Sequence, residues 1–100
     1  MVNQHPKRFR ITSYLEPNPP NGRRVTRPLR WGNPFRVGIE AETVHDAVAM
    51  FREHLNRDPS LVETAKRELR GFDLGCTCPL DQPCHADVWL EVANQGTGSD

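Results

Sequence analysis

The sequence has no apolar run approaching the ~18–20 residues that a membrane span requires, so no membrane association through a spanning helix is expected. Its first residues, Met1-Val2-Asn3-Gln4-His5-Pro6, lack the apolar stretch of a secretory signal. The expectation is therefore a cytoplasmic protein. Cysteine is scarce: there are three, an odd number, and all fall between positions 76 and 84. That pattern argues against a disulfide framework and for metal ligands or reactive thiols in a reducing compartment. Hydrophobic residues are only 36% of the 100-residue chain, which suits one domain with a modest core. Acidic residues are almost missing from the first third. Residues 1–36 hold eight Lys/Arg against Glu16 alone, a net +7, and residues 37–100 hold five against twelve acids, a net −7. A basic third can face nucleic acid or another phosphate-bearing partner. Alternatively, the two parts neutralise each other on packing.

What is plentiful is proline, at nine residues, concentrated in the first third and around the cysteines. Regular structure is thus expected mainly in the middle. Residues 1–8 read as a flexible N-terminus, 9–94 as a single domain and 95–100 as a disordered tail. Phe9–Leu15 and Arg23–Arg27 read as short strands joined in a hairpin-like pair across Pro17-Asn18-Pro19-Pro20-Asn21-Gly22. Thr43–Arg57 reads as a helix, with Val44, Ala47, Val48, Phe51 and Leu55 at helical spacing and Thr43 and Asp46 at its start. A second helix follows, opened by a Ser60/Glu63 capping box and closed by Gly71. Phe72–Cys78 alternates like a strand that places Phe72, Leu74, Cys76 and Cys78 on one face. A last helix runs from about Cys84 to Asn94, capped by Asp81 or Gln82 with Pro83 at its first position. The expected fold is α/β: a small single-layer mixed sheet of about three strands packed with three helices, in the order β-β-α-α-β-α.

The chemistry concentrates in Cys76-Thr77-Cys78 and Cys84-His85. This reading puts them at the carboxyl end of a strand and the start of a helix, where ligands gather in α/β folds. One reading is zinc: Cys76, Cys78, Cys84 and His85 form a Cys₃His donor set. Its C-x-C-x5-C-H spacing is unusual. Residues i and i+2 of a flat strand lie roughly 7 Å apart at Cα, so the strand would have to bend near Pro79. A second reading is catalytic. Cys84 would be a thiol whose pKa is lowered by the helix start, and His85 its base. An anionic group would sit on the helix N-terminus, and Asp87 would orient a histidine or contribute to the charge pattern of the helix start. The third is that the cysteines are small core residues. His45 and His54 read as solvated.

A second constellation is Arg27-Pro28-Leu29-Arg30-Trp31-Gly32-Asn33-Pro34-Phe35. Arginine and tryptophan can stack on a base and hold phosphate, and Asn33 can read an amide or a base edge. The alternative is a structural loop with Trp31 and Phe35 plugging the core, and Phe35 reads that way.

Together these motifs resemble a small bacterial and bacteriophage family known as domain-of-unknown-function family 4326. The residues that carry the resemblance are Trp31-Gly32-Asn33-Pro34-Phe35, Leu69-Arg70-Gly71, Leu74-Gly75-Cys76-Thr77-Cys78 and Pro83-Cys84-His85-Ala86-Asp87-Val88. They stand in the family's order and span roughly residues 9 to 94. Trp89 replaces an aliphatic residue, which bears on packing. The resemblance implies no reaction. It does imply that the tryptophan loop and the Cys/His corner belong to one site, with the loop folded over the end of the last strand. Arg27, Trp31, Asn33 and Asp87 would then bind a nucleotide-related or other anionic small molecule beside Cys84 and His85. The alternative is a noncatalytic zinc module that binds protein or nucleic acid through its basic third. In a phage-encoded protein the compartment would be the host cytoplasm.

Overall fold

A computed structural model of the chain describes residues 6–13, 15, 17–26 and 30–94. Its elements run β1 (Arg8–Arg10), β2 (Gly22–Arg24), α1 (Val44–Asn56), α2 (Pro59–Glu68), β3 (Asp73–Cys76) and α3 (His85–Ala93). The α/β class and the element order match the expectation from sequence. The strand pairing does not.

β1 and β2 never pair as a hairpin. The sheet order is β1-β3-β2, and both pairings are parallel, so the described sheet is parallel throughout rather than mixed. The physical reason lies in burial. Leu74, Gly75 and Cys76 are all buried, the mark of a central strand covered on both faces. The arginine-rich β1 and β2 suit the edges. The proline-rich loop, with a turn bond from the Gly22 N–H to the Pro19 carbonyl at 2.9 Å, returns the chain to the sheet end from which β1 began. β2 then runs alongside β3 from Asp73, as β1 does from Leu74.

The sheet has two unlike faces. Leu74 and Cys76 join Val25, Phe51, Leu55, Leu69, Val88 and Trp89 in the main core beneath the helices. On the opposite face Phe9 lies across the sheet. A Cβ at Gly75 would meet the Phe9 ring at 2.4 Å and the Ile11 side chain at 3.1 Å. Glycine is required there by close approach rather than by backbone angle.

Local signals explain the helix limits. The Thr43 Oγ1 accepts from the Asp46 N–H at 3.1 Å and starts α1 as expected. α2 begins earlier than the Ser60/Glu63 reading. Asp58 is its cap, accepting from the Leu61 N–H at 3.2 Å, and Pro59 occupies the first turn with its angle already set. Ser60 instead donates to Asp58 at 3.0 Å. Gly71, at φ +83°, closes the segment after α2 in the left-handed region. α3 is capped neither by Asp81 nor by Gln82. Cys84 is its N-cap, Pro83 precedes the cap, and the Asp87 carboxylate accepts from the Cys84 N–H at 3.1 Å.

The leader and tail expected at 1–8 and 95–100 fall largely outside the described residues. Arg8, inside that leader, belongs to β1. No helix among the described residues is long and apolar enough to cross a membrane.

Candidate metal centre

β3 stops at Cys76, and the chain bends at Thr77 and Cys78. This bend is what the C-x-C spacing demands, because it brings the Cys76 and Cys78 sulfurs to 3.5 Å. Cys84, at the head of α3, completes a group whose three sulfurs all lie within 4.8 Å of one another. All three are free thiols; Cys76 and Cys84 are buried, and Cys78 is half-buried.

His85 is buried against the same corner. Its Nδ1 lies 3.5 Å from the Cys84 sulfur and 4.0 Å from that of Cys76. Its Nε2 meets the Val25 carbonyl at 2.5 Å. A carbonyl can only accept, so Nε2 carries the proton. In the neutral ring, Nδ1 then presents its lone pair to the sulfurs. The Phe51 ring packs edge-on against the imidazole at 5.6 Å and fixes its plane.

The donor set fits a soft, tetrahedral cation. Zinc with Zn–S of ~2.3 Å and Zn–N of ~2.0 Å separates two sulfurs by ~3.8 Å and sulfur from nitrogen by ~3.5 Å. Three of the six edges, at 3.5, 3.5 and 4.0 Å, fall close to those values, while His85 stands beside Cys76 and Cys84 but outside the three-sulfur group whose donor atoms all lie within 4.8 Å of one another. The Cys76/Cys78/Cys84 cluster can hold a metal ion.

Without a metal, the three thiols share too few partners for all of them to ionise. Cys76 is held far below its ordinary pKa by the hydrogen bonds it accepts from Cys78 and then Cys84, with burial opposing. Cys78 is raised, chiefly by its bond to Cys76. Cys84 is pushed far up, because its proton serves Cys76 and Cys78 and because it is buried. The lowered Cys84 pKa expected from its helix-start position is therefore reversed. The sulfur neighbours outweigh the helix end.

The remaining sequence-predicted residues divide. Asn33 lines a cavity of about 310 Å³ together with Phe35, Thr26, Cys78, Cys84 and His85. The tryptophan loop thus does reach the Cys/His corner. However, the Asn33 side chain is committed: Nδ2 donates to the Ala47 carbonyl at 3.1 Å and Oδ1 accepts from the Phe35 N–H at 2.9 Å. Trp31 does not line the cavity. It is buried edge-on against Trp89 at 5.1 Å, and its carbonyl accepts from the Trp89 indole N–H at 2.7 Å. This bond gives Trp89 a polar partner in the core, which an aliphatic residue would not need. Asp87 does not line the cavity either; it binds the Cys84 N–H and Arg8. Arg27 lies outside the described residues. His54, expected to be solvated, is half-buried between Phe35 and Phe51 at centroid distances of 5.9 and 6.4 Å.

The sequence reading missed Arg8 and the Val25 carbonyl. Arg8 sits on β1, and its guanidinium reaches the turn between Cys78 and Cys84. The partner strand that brings it there lies more than sixty residues away. No local pattern announces such a contact.

Among curated proteins, the chain is 35% identical over 74 residues to the "Uncharacterized 12.4 kDa protein in nrdA-td intergenic region" of Enterobacteria phage T4. The match covers 71% of this chain and 66% of that protein, so the chain spans just under two thirds of its relative's length. No solved structure matches the chain. The family described as "Domain of unknown function (DUF4326)" matches residues 11–95, a span that contains every cysteine and the whole Trp31–Phe35 loop, and the chain belongs to that family.

Proposed function

We propose that this domain is a zinc-stabilised module in which Cys76, Cys78, Cys84 and His85 Nδ1 bind one ion. The observation that carries the reading is the orientation of His85. Its Nε2–H is tied to the Val25 carbonyl while Nδ1 faces the sulfurs, the arrangement by which metal-binding histidines are commonly held. A bound zinc would cross-link the end of β3, the following turn and the start of α3. Nucleophilic catalysis has less support. An attacking thiol needs exposure and a thiolate, whereas Cys84 is 1% exposed with a raised pKa. A reducing cytoplasm, the host's if the protein is phage-encoded, would keep the donors available.

Cobalt(II) titration of the reduced protein tests this. The expected result is a thiolate-to-cobalt charge-transfer band with intense tetrahedral d–d bands, saturating at one ion per chain and abolished by zinc. Titration without a charge-transfer band would refute it.

A small-ligand role keeps one specific support, the cavity faced by both motifs. Among the described residues, its lining contains no Lys, Arg, Asp or Glu. In the basic third that would meet nucleic acid, four arginines have partners within the protein. Arg8 and Arg30 pair with acids, Arg24 donates to Asn18, and Arg23 lies over Phe72.

A further inference from the structure

Five residues separate Cys78 from Cys84, and a tetrahedral centre needs both ends of that spacer held. The segment has little regular structure of its own; one turn bond, from the Gln82 N–H to the Pro79 carbonyl at 3.2 Å, lies within it. Its restraint comes from β1. The Arg8 side chain is only 9% exposed, so its donors must find protein acceptors. Nη2 reaches the Leu80 and Gln82 carbonyls at 2.8 Å each and the Pro79 carbonyl at 3.3 Å. Nη1 reaches the Asp87 carboxylate at 3.2 Å. Asp87 in turn accepts from the Cys84 backbone N–H at 3.1 Å. One guanidinium therefore grips the spacer directly after Cys78 and, through Asp87, the backbone of Cys84. The planar fork of arginine suits several fixed acceptors, whereas a lysine ammonium would supply only a point charge.

We propose that Arg8 and Asp87 form a positioning pair for the metal centre, fixing the spacer so that the Cys78 and Cys84 sulfurs stay in reach of one ion. The inference rests on the zinc reading and deepens it. It assigns Asp87, expected from sequence to contact a ligand, to the backbone that carries one. It also assigns a role to Arg8, which precedes the family-matched segment of residues 11–95. The pair makes no contact with the ion itself.

The test is cobalt(II) and zinc affinity, measured by competition with a chromophoric chelator, for wild type, Arg8→Met, Arg8→Lys and Asp87→Asn. Val62→Ala is the control, because it weakens the core at α2, away from the centre. Residues that orient metal ligands typically contribute 10–100-fold in affinity, so Arg8→Met is expected to lose about that factor. Arg8→Lys should recover only part of it. Combining Arg8→Met with Asp87→Asn should cost less than the two losses multiplied, since both act through one linkage. The d–d bands of the cobalt forms should broaden or shift. Val62→Ala, though less stable, should keep wild-type affinity and spectrum. Wild type binding one cobalt while both Arg8 variants stay within about twofold of it, well short of an outer-shell effect, overturns the pair alone. So does an equal loss in Val62→Ala. Failure of wild type to bind cobalt overturns the zinc reading, and the pair with it.

Discussion

Replacing Cys76 by alanine separates packing from metal binding, because the residue serves both. Its side chain is 4% exposed, in the core beneath α1 and α3. Losing one buried heavy atom costs ~1 kcal/mol when the site cannot collapse fully. In a domain of about 100 residues, 1 kcal/mol lowers Tm by ~4–8 °C. With a chelator present, that is the whole expected loss. With free zinc a thousandfold above Kd, wild type gains ~4 kcal/mol by mass action, and a variant lacking one sulfur forfeits most of it. The gap between the two proteins then widens to ~5 kcal/mol, roughly 20 °C or more. The assay is thermal unfolding by circular dichroism under a phosphine reductant, for both proteins, with chelator and with zinc. A gap that is the same in both conditions to within about 2 °C would show that Cys76 is only a core residue.

Two further outcomes follow from named contacts. Gly75→Ala forces the Phe9 ring off the sheet, since the new Cβ would lie 2.4 Å from it. The expected cost is ~1–3 kcal/mol, measured by urea unfolding, and Phe9→Ala in the same chain should relieve part of it; strict additivity would contradict the overlap. The metal-free protein should also show a thiol-dependent pH profile. Cys76 is lowered in the folded chain, so the unfolded chain binds the extra proton, and stability rises with pH until the ordinary value of 9.0 is passed. Cys78 and Cys84 are raised, so their contribution is present below 9.0 and lost above it. Urea midpoints between about pH 7 and about pH 10.5 should pass through a maximum that is absent when all three cysteines are serine. A profile unchanged by those substitutions would refute the shared-proton arrangement.

The sequence was most legible where physical signals are local. Val44, Ala47, Phe51 and Leu55 announced α1 through their spacing, and Thr43 announced its start. Gly71 marked the end of the α2 segment. The alternation around Leu74 and Cys76 located β3. The same spacing rules showed that Cys76 and Cys78 could share an ion only across a bend, and the bend is there. Partnership between distant segments was not legible. Nothing in Arg-Phe-Arg or Gly-Arg-Arg says that these edges flank β3 in parallel, so the hairpin reading was the natural local choice. For the same reason Arg8 was invisible as a clamp, and the Val25 carbonyl as the group that sets the His85 tautomer. Trp31 and Asn33 carried side chains that suit recognition, but their partners, Trp89 and the Ala47 carbonyl, turn both inward. The Cys84 pKa went the other way because a helix end acts weakly beside two sulfurs in contact.

The central claim is that three thiolates and one imidazole hold a single ion. Native mass spectrometry of protein purified without added metal tests it most directly, with Cys84→Ala and His85→Ala alongside. One zinc per wild-type chain, lost from Cys84→Ala and weakened in His85→Ala, is the expected result. A folded wild-type chain that carries no zinc even after exposure to an equimolar amount would contradict it.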